Sequence, residues 1–192
     1  MLFYKKLLIP DFKAMNIFVA FNLLFIFFGH SAMCQCDCPL HDGDFEEDQK
    51  AYINRSKWIR EGSAGIDFKA GTSFRGYNNA WVKADKGWNA IRRAVLLSQE
   101  YTYVLEVFIK TSENVRDGYF GFWDAQQHPV SEIKFGQSSV YRKLTVKFKP
   151  PKTGRYYIFA GVWAPAQPAW IKVDDFSMTC PCPDVNAIPV DN

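Results

Sequence analysis

Two runs between Tyr101 and Met178 set apolar residues at every second position, the two-residue period of a strand that lays one face on a core. Tyr103, Leu105, Val107 and Ile109 share one parity in the run 101–110. In the run 141–149, Leu144, Val146 and Phe148 alternate with Lys143, Thr145, Lys147 and Lys149. Between and after these, 118–124, 155–163 and 170–178 read as strands, and Pro150-Pro151-Lys152-Thr153-Gly154 as a turn. Upstream, 43–47, 64–70, 77–84 and 88–97 carry the same signal, while Trp58–Gly62 reads as a short turn of helix at most. No segment sustains a helical period. About nine short strands in one stretch, with no internal linker, predict a single all-β domain: a β-sandwich of two antiparallel sheets packed face to face.

One strand breaks its own pattern. Ile171 and Val173 share the odd parity, whereas Phe176 and Met178 continue on even positions, so the switch falls at Asp174-Asp175. A change of parity within a strand predicts a β-bulge. A carboxylate turned inward there needs a cation or hydrogen-bond donors, because an uncompensated buried charge is costly.

The first 34 residues have a different character. Lys5, Lys6 and Lys13 precede the apolar run 17–28, and small residues follow at Gly29, Ser31 and Ala32. This is the plan of a secretory signal peptide over 1–34, with cleavage after Cys34 or, alternatively, near Ala32. The run is too short for a comfortable membrane span, so no membrane association is expected after cleavage. The expected location is secreted, periplasmic or at the cell surface. Removing Lys5, Lys6, Lys13 and Asp11 also removes most of the formal charge of +3, and with no basic stripe nucleic acid is not an expected partner.

Cys36 and Cys38 open the 35–182 domain, and Cys180 and Cys182 close it ahead of a loose tail, 183–192. In an oxidising compartment this spacing predicts disulfides between the two ends. Both 36–182 with 38–180 and 36–180 with 38–182 satisfy it, and antiparallel end strands favour the former. A four-thiolate zinc site is the rival, although Cys-x-Cys is tighter than the usual zinc spacing.

These features together resemble the jelly-roll carbohydrate-binding modules of the CenC type, families 4, 9 and 22. Gly43-Asp44-Phe45-Glu46 is similar to their opening strand, and Val173-Asp174-Asp175-Phe176-Ser177-Met178 to their closing one. Gly87-Trp88-Asn89-Ala90-Ile91 and Leu97–Tyr103 are similar to the central segment, so the resemblance spans 43–178. Asp44, the Arg92-Arg93 pair and the flanking cysteines depart from the pattern. The resemblance implies a jelly-roll fold, a carbohydrate ligand and a structural Ca²⁺ where the first and last strands meet, held by Glu46 and Asp174 with Asp175, and by backbone carbonyls.

The aromatic content, 17 Phe, 9 Tyr and 6 Trp, changes the functional picture. Trp offers a flat partner to the C–H face of a sugar, and Arg, Asn, Gln and Asp serve its hydroxyl edges. Trp58, Trp81, Trp123, Trp163, Tyr77 and Arg92 are the candidate ligand-binding residues. A protein partner docking on the same aromatics is the alternative. No enzyme is expected: His41 and His128 stand far apart, no nucleophile–base spacing appears, and Glu106, a candidate acid with Asp124, has the parity of a solvent-facing residue.

Overall fold

The computed structural model describes residues 35–37, 40–47, 57–68, 71–165 and 167–181. The strands are β1 Gln35–Asp37, β2 Trp58–Glu61, β3 Ala64–Asp67, β4 Asn79–Ala84, β5 Gly87–Leu97, β6 Tyr103–Thr111, β7 Asp117–Trp123, β8 Pro129–Phe135, β9 Arg142–Phe148, β10 Gly154–Ala164 and β11 Ala169–Pro181. One sheet runs β3-β4-β11-β6-β9, with β1 also on β11; the other runs β2-β5-β10-β7-β8. Every pairing is antiparallel. This is the expected jelly-roll-type sandwich, with β4, β5, β6, β7, β9, β10 and β11 falling on sequence runs that read as strands.

The core lies between the two inner faces. Ala80, Val82, Leu105, Val107, Ile109, Ile171 and Val173 from the first sheet meet Ile91, Phe120, Phe122, Ile158, Ala160 and Val162 from the second, all fully buried. Phe122 of β7 meets Phe148 of β9 across the layers, ring centres 5.0 Å apart. Each large side chain withdrawn from water in this way contributes about 1.5–3 kcal/mol.

Four elements differ from the sequence expectation. The run 43–47 is a turn, not a strand: Asp42 (φ 58°) and Phe45 (φ 60°) are left-handed. The Asp42 and Asp44 carboxylates accept the backbone N–H groups of Glu47 and Glu46. The turn drives Phe45 into the core beside Trp58, ring centres 5.1 Å apart, which offsets the backbone strain. Trp58–Glu61 is an edge strand and not a helical turn, because it pairs with Ala90–Arg93 of β5 and sinks Trp58 inward. β8 escaped notice behind His128-Pro129, with a register shift on its partner at Phe122/Trp123. Three-residue β1 carries too little pattern to read.

The bulge falls where the parity changes. The β11–β6 register shifts between Asp174 and Ser177, and Asp175 is left-handed at φ 54°. At the other end of β11, the register sets Cys36 opposite Cys180. In that register Cys36 and Cys180, one of the two expected pairings, are directly opposed, which is the arrangement with bridging Cα separations. Cys38, Cys182, the signal-like segment 1–34 and the tail 183–192 lie outside the described residues. Among the described residues no helix is long and apolar enough to cross a membrane.

Candidate functional site

β7 and β10 are apolar on both faces. Phe120 and Phe122 of β7 and Ile158, Ala160 and Val162 of β10 point into the core, so Tyr119 and Trp123, and Tyr157, Phe159 and Trp163, lie on the outer face of the β2-β5-β10-β7-β8 sheet. The register lines these up in rows across the sheet. One row reads Glu61–Ala90–Gly161–Tyr119–Lys134, the next Ile59–Arg92–Phe159–Gly121–Glu132, and Trp88 stands opposite Trp163.

The small residues Ala90, Gly161 and Gly121 are buried and let neighbouring groups pack down onto the sheet. A Cβ on Gly161 would sit 2.4 Å from the Trp88 ring, so the indole lies directly on that glycine. A Cβ on Gly121 would stand 2.1 Å from the Ser131 carbonyl oxygen, so β8 approaches closely there. Around them Trp88 meets Tyr119 at 6.0 Å and Trp123 at 5.9 Å, and Trp123 stacks on Phe159 at 4.2 Å. Glu61, Trp88, Tyr119, Trp123, Gln127, Pro129, Glu132 and Trp163 line an open groove of about 360 Å³. Trp163, 48 % exposed, also borders a second hollow of about 520 Å³ lined by Glu113, Arg116, Asp117 and Gln167.

The groove's charges are unevenly satisfied. The Arg92 guanidinium lies over the Tyr157 ring at 4.9 Å, and its Nε is 3.7 Å from Glu61 Oε2, too far for a hydrogen bond. The Lys134 ammonium contacts the Asp117 carboxylate, which holds it protonated above its usual range, and stands 5.9 Å from the Tyr119 ring centre. Glu132 is raised above the usual carboxylate range by desolvation alone. Gln127 is delivered by a turn in which Asp124 Oδ1 accepts the N–H groups of Gln126 and His128; chiefly the His128 bond lowers the Asp124 pKa.

The structure thus divides the candidate binding residues. Trp163 stands exposed in the groove; Trp123 also lines it but is only 7 % exposed, packed on Phe159; and Arg92 stands at its border through Glu61. Trp58 does not belong with them: it is 6 % exposed, packs on Phe45 and Phe176, and its Nε1–H donates to the Asp42 carbonyl oxygen at 3.0 Å. Its strand is an edge strand whose inward parity places it in the core. Trp81 lies over Gly65 on the outer face of the opposite sheet. Tyr77, though exposed, sits before β4 in that same sheet, its N–H donating to Glu46.

The expected calcium ligands are engaged otherwise. Asp174, fully buried, accepts the N–H groups of Phe74 (2.7 Å), Arg75 (3.0 Å) and Asp175 (2.8 Å). Glu46 Oε1 accepts those of Tyr77 and Asn78 at 2.7 and 2.8 Å, and Asp175 faces the Arg75 guanidinium at 3.5 Å. Among the described residues no three His, Cys, Asp or Glu side chains gather to hold a metal. These carboxylates face N–H groups where a calcium ion needs six to eight oxygens, so the arrangement does not fit the ion. It fits a strap, 72–78, pinned by two acids.

Sequence reasoning did not single out Trp88, Tyr119, Glu61, Gln127 and Glu132 as site residues. The signal for the aromatics was present: a strand with apolar residues at both parities, inside a two-layer sandwich, must expose one of the two sets. The carboxylates carry no such signal, because cross-strand register alone brings them to the groove.

No protein-family model and no curated protein matches the chain. Solved structures do. A Stig cyclase from Fischerella sp. TAU aligns over 78 % of this chain and 100 % of its own, at TM-score 0.59 and 14 % identity. A family 61 carbohydrate-binding module in complex with β-1,4-galactotriose aligns over 72 % of this chain and 95 % of its own, at TM-score 0.53 and 17 % identity. A family 4 module aligns over 65 % and 94 %, at TM-score 0.52 and 18 % identity. At these identities the likeness establishes the fold, the jelly roll of the carbohydrate-binding modules.

Proposed function

We propose that this chain is an exported, non-catalytic glycan-binding module, and that its ligand lies in the groove on the outer face of the β2-β5-β10-β7-β8 sheet. The observation that carries this reading is the open groove lined by Trp88, Tyr119, Trp123 and Trp163, with Trp163 about half exposed at its border. The groove is open and lined by rings. Such a groove takes the C–H faces of a sugar, while Gln127, Glu61 and Glu132 accept or donate hydrogen bonds at its edges. A protein partner would instead be served by a flat patch with an apolar centre.

Export is supported by the signal-like 1–34 segment and by the cysteines. A Cys36–Cys180 bridge is supported by their opposed register.

The test is a glycan array followed by titration of the best oligosaccharide. Trp163→Ala should weaken binding at least about tenfold with an unchanged melting temperature, as loss of a stacking platform does. Trp81→Ala, on the other sheet, should leave affinity unchanged. The reading fails if no glycan binds, if Trp163→Ala binds like the parent, or if the bound oligosaccharide is cleaved.

A further inference from the structure

Among the described residues, four that are not glycine hold a left-handed backbone: Asp42, Phe45, Gln127 and Asp175. Three of them use the side chain within the fold. Asp42 accepts the Glu47 N–H, Phe45 fills the core, and Asp175 faces the Arg75 guanidinium. Gln127, at φ 67°, does not: it is exposed, and its amide makes no hydrogen bond among the described residues. It lines the groove instead. Its place is the end of the turn between β7 and β8, where Gln127 N–H donates to the Asp124 carbonyl oxygen and Asp124 N–H to that of His128. Glycine or asparagine takes such a position readily, so a glutamine there is strained. Asp124 holds it in place, its Oδ1 accepting the N–H groups of Gln126 and His128, each at 2.9 Å. Strain maintained by surrounding bonds, on a side chain the fold does not use, points to a side chain kept for a ligand.

Resting on the glycan-binding reading, we propose that Gln127 is the specificity-determining residue of the groove, with Asp124 its positioning residue, and that its amide reads two adjacent free hydroxyls of a neutral sugar unit. An amide carries an acceptor and donors side by side. Its carbonyl oxygen accepts from one hydroxyl while its NH2 group donates to the neighbour. Gln127 shares the lining with Trp123 and Trp163, so a sugar held in this way also lies against the rings. A sugar lacking either hydroxyl leaves half of the amide unpaired once water is excluded.

The probes are neutral β-linked tetramers of glucose, galactose, mannose and xylose, the tightest-binding oligosaccharide of the array, and singly deoxygenated forms of whichever binds best. Isothermal titration of the parent should find two forms, deoxygenated at adjacent carbons, that bind about tenfold more weakly than the intact sugar. In Gln127→Ala the intact sugar should lose about tenfold, and those two forms should bind as well as it does. Gln127→Gly should lose the same affinity yet melt at or above the parent's temperature, because relief of strain outweighs the freedom glycine adds to the unfolded chain. Asp124→Asn keeps an acceptor for the turn and should keep the discrimination, whereas Asp124→Ala should lose it. The proposal is overturned, with glycan binding left standing, if Gln127→Ala binds like the parent or still discriminates against the same two forms. Gln127→Gly melting below the parent would make the side chain part of the fold and overturn it as well. Full discrimination in Asp124→Ala would overturn the positioning role. If no probe binds and the array is blank, both readings fall.

Discussion

Trp58 and Trp163 have the same chemistry and opposite situations, and the difference is the parity of each within its strand. Trp58 points into the core and spends its one donor on the Asp42 carbonyl oxygen, whereas Trp163 is about half exposed at the groove. Trp58→Ala should therefore lower unfolding free energy by about 3–5 kcal/mol, the range for large aromatic truncations. Chemical denaturation measures this; a loss under about 1 kcal/mol would mean that the core closes over the gap. Gly161 is the complementary case. A methyl group there meets the Trp88 ring at 2.4 Å, so Gly161→Ala must tilt the indole off the sheet. The expected result is weaker glycan binding, a shift in tryptophan fluorescence and a melting temperature lowered by a few degrees, since overpacking costs about 1–3 kcal/mol.

At the scale of elements, the backbone N–H groups of the strap 72–78 donate to two acids, Asp174 and Glu46. Asp174→Ala would leave the N–H groups of Phe74, Arg75 and Asp175 without their acceptor. Each unpaired buried donor costs about 1–3 kcal/mol, so the melting temperature should drop by several degrees or more. Chelator should leave the parent's melting temperature unchanged; a fall would put an ion in this region after all. Burial pushes the Asp174 carboxyl up to about 6 against three N–H bonds that favour its charged form. Its folded pKa then lies above the unfolded value, so the native state holds a proton between about pH 4 and 6 that the unfolded chain has released. Asp174 therefore contributes a loss of stability as pH rises through that window. Melting curves of the parent should show this slope, and those of Asp174→Asn should lack it.

For the molecule as a whole, the first and last strands are neighbours, which lets one bridge close almost the entire domain. A Cys36–Cys180 disulfide would restrict the unfolded chain by about 4–5 kcal/mol in the chain-entropy model. Peptide mapping without reduction should recover Cys36 linked to Cys180, and reduction should lower the melting temperature. Recovery of Cys36 linked to Cys182 would mean that the β1–β11 register differs from the one described here.

The sequence by itself determined the fold class, most strand positions and the bulge in β11. All three follow from local alternation of apolar and polar residues, and a change of parity such as that at Asp174-Asp175 is visible without knowing any partner strand. It also determined that aromatic side chains are in excess. What the tertiary structure decided is which aromatics meet. Trp88 from β5, Tyr119 and Trp123 from β7 and Trp163 from β10 are separated along the chain and joined only by cross-strand register. The same holds for Glu61 and Glu132, which come from the two edge strands of that sheet. Register is set by long-range pairing and core packing, which is also why Phe45 could be turned inward from a segment that reads as a strand. The fate of Glu46 and Asp174 was decided in the same way. The resemblance implied a cation for this pair, and a loop distant in sequence supplies N–H groups to both carboxylates.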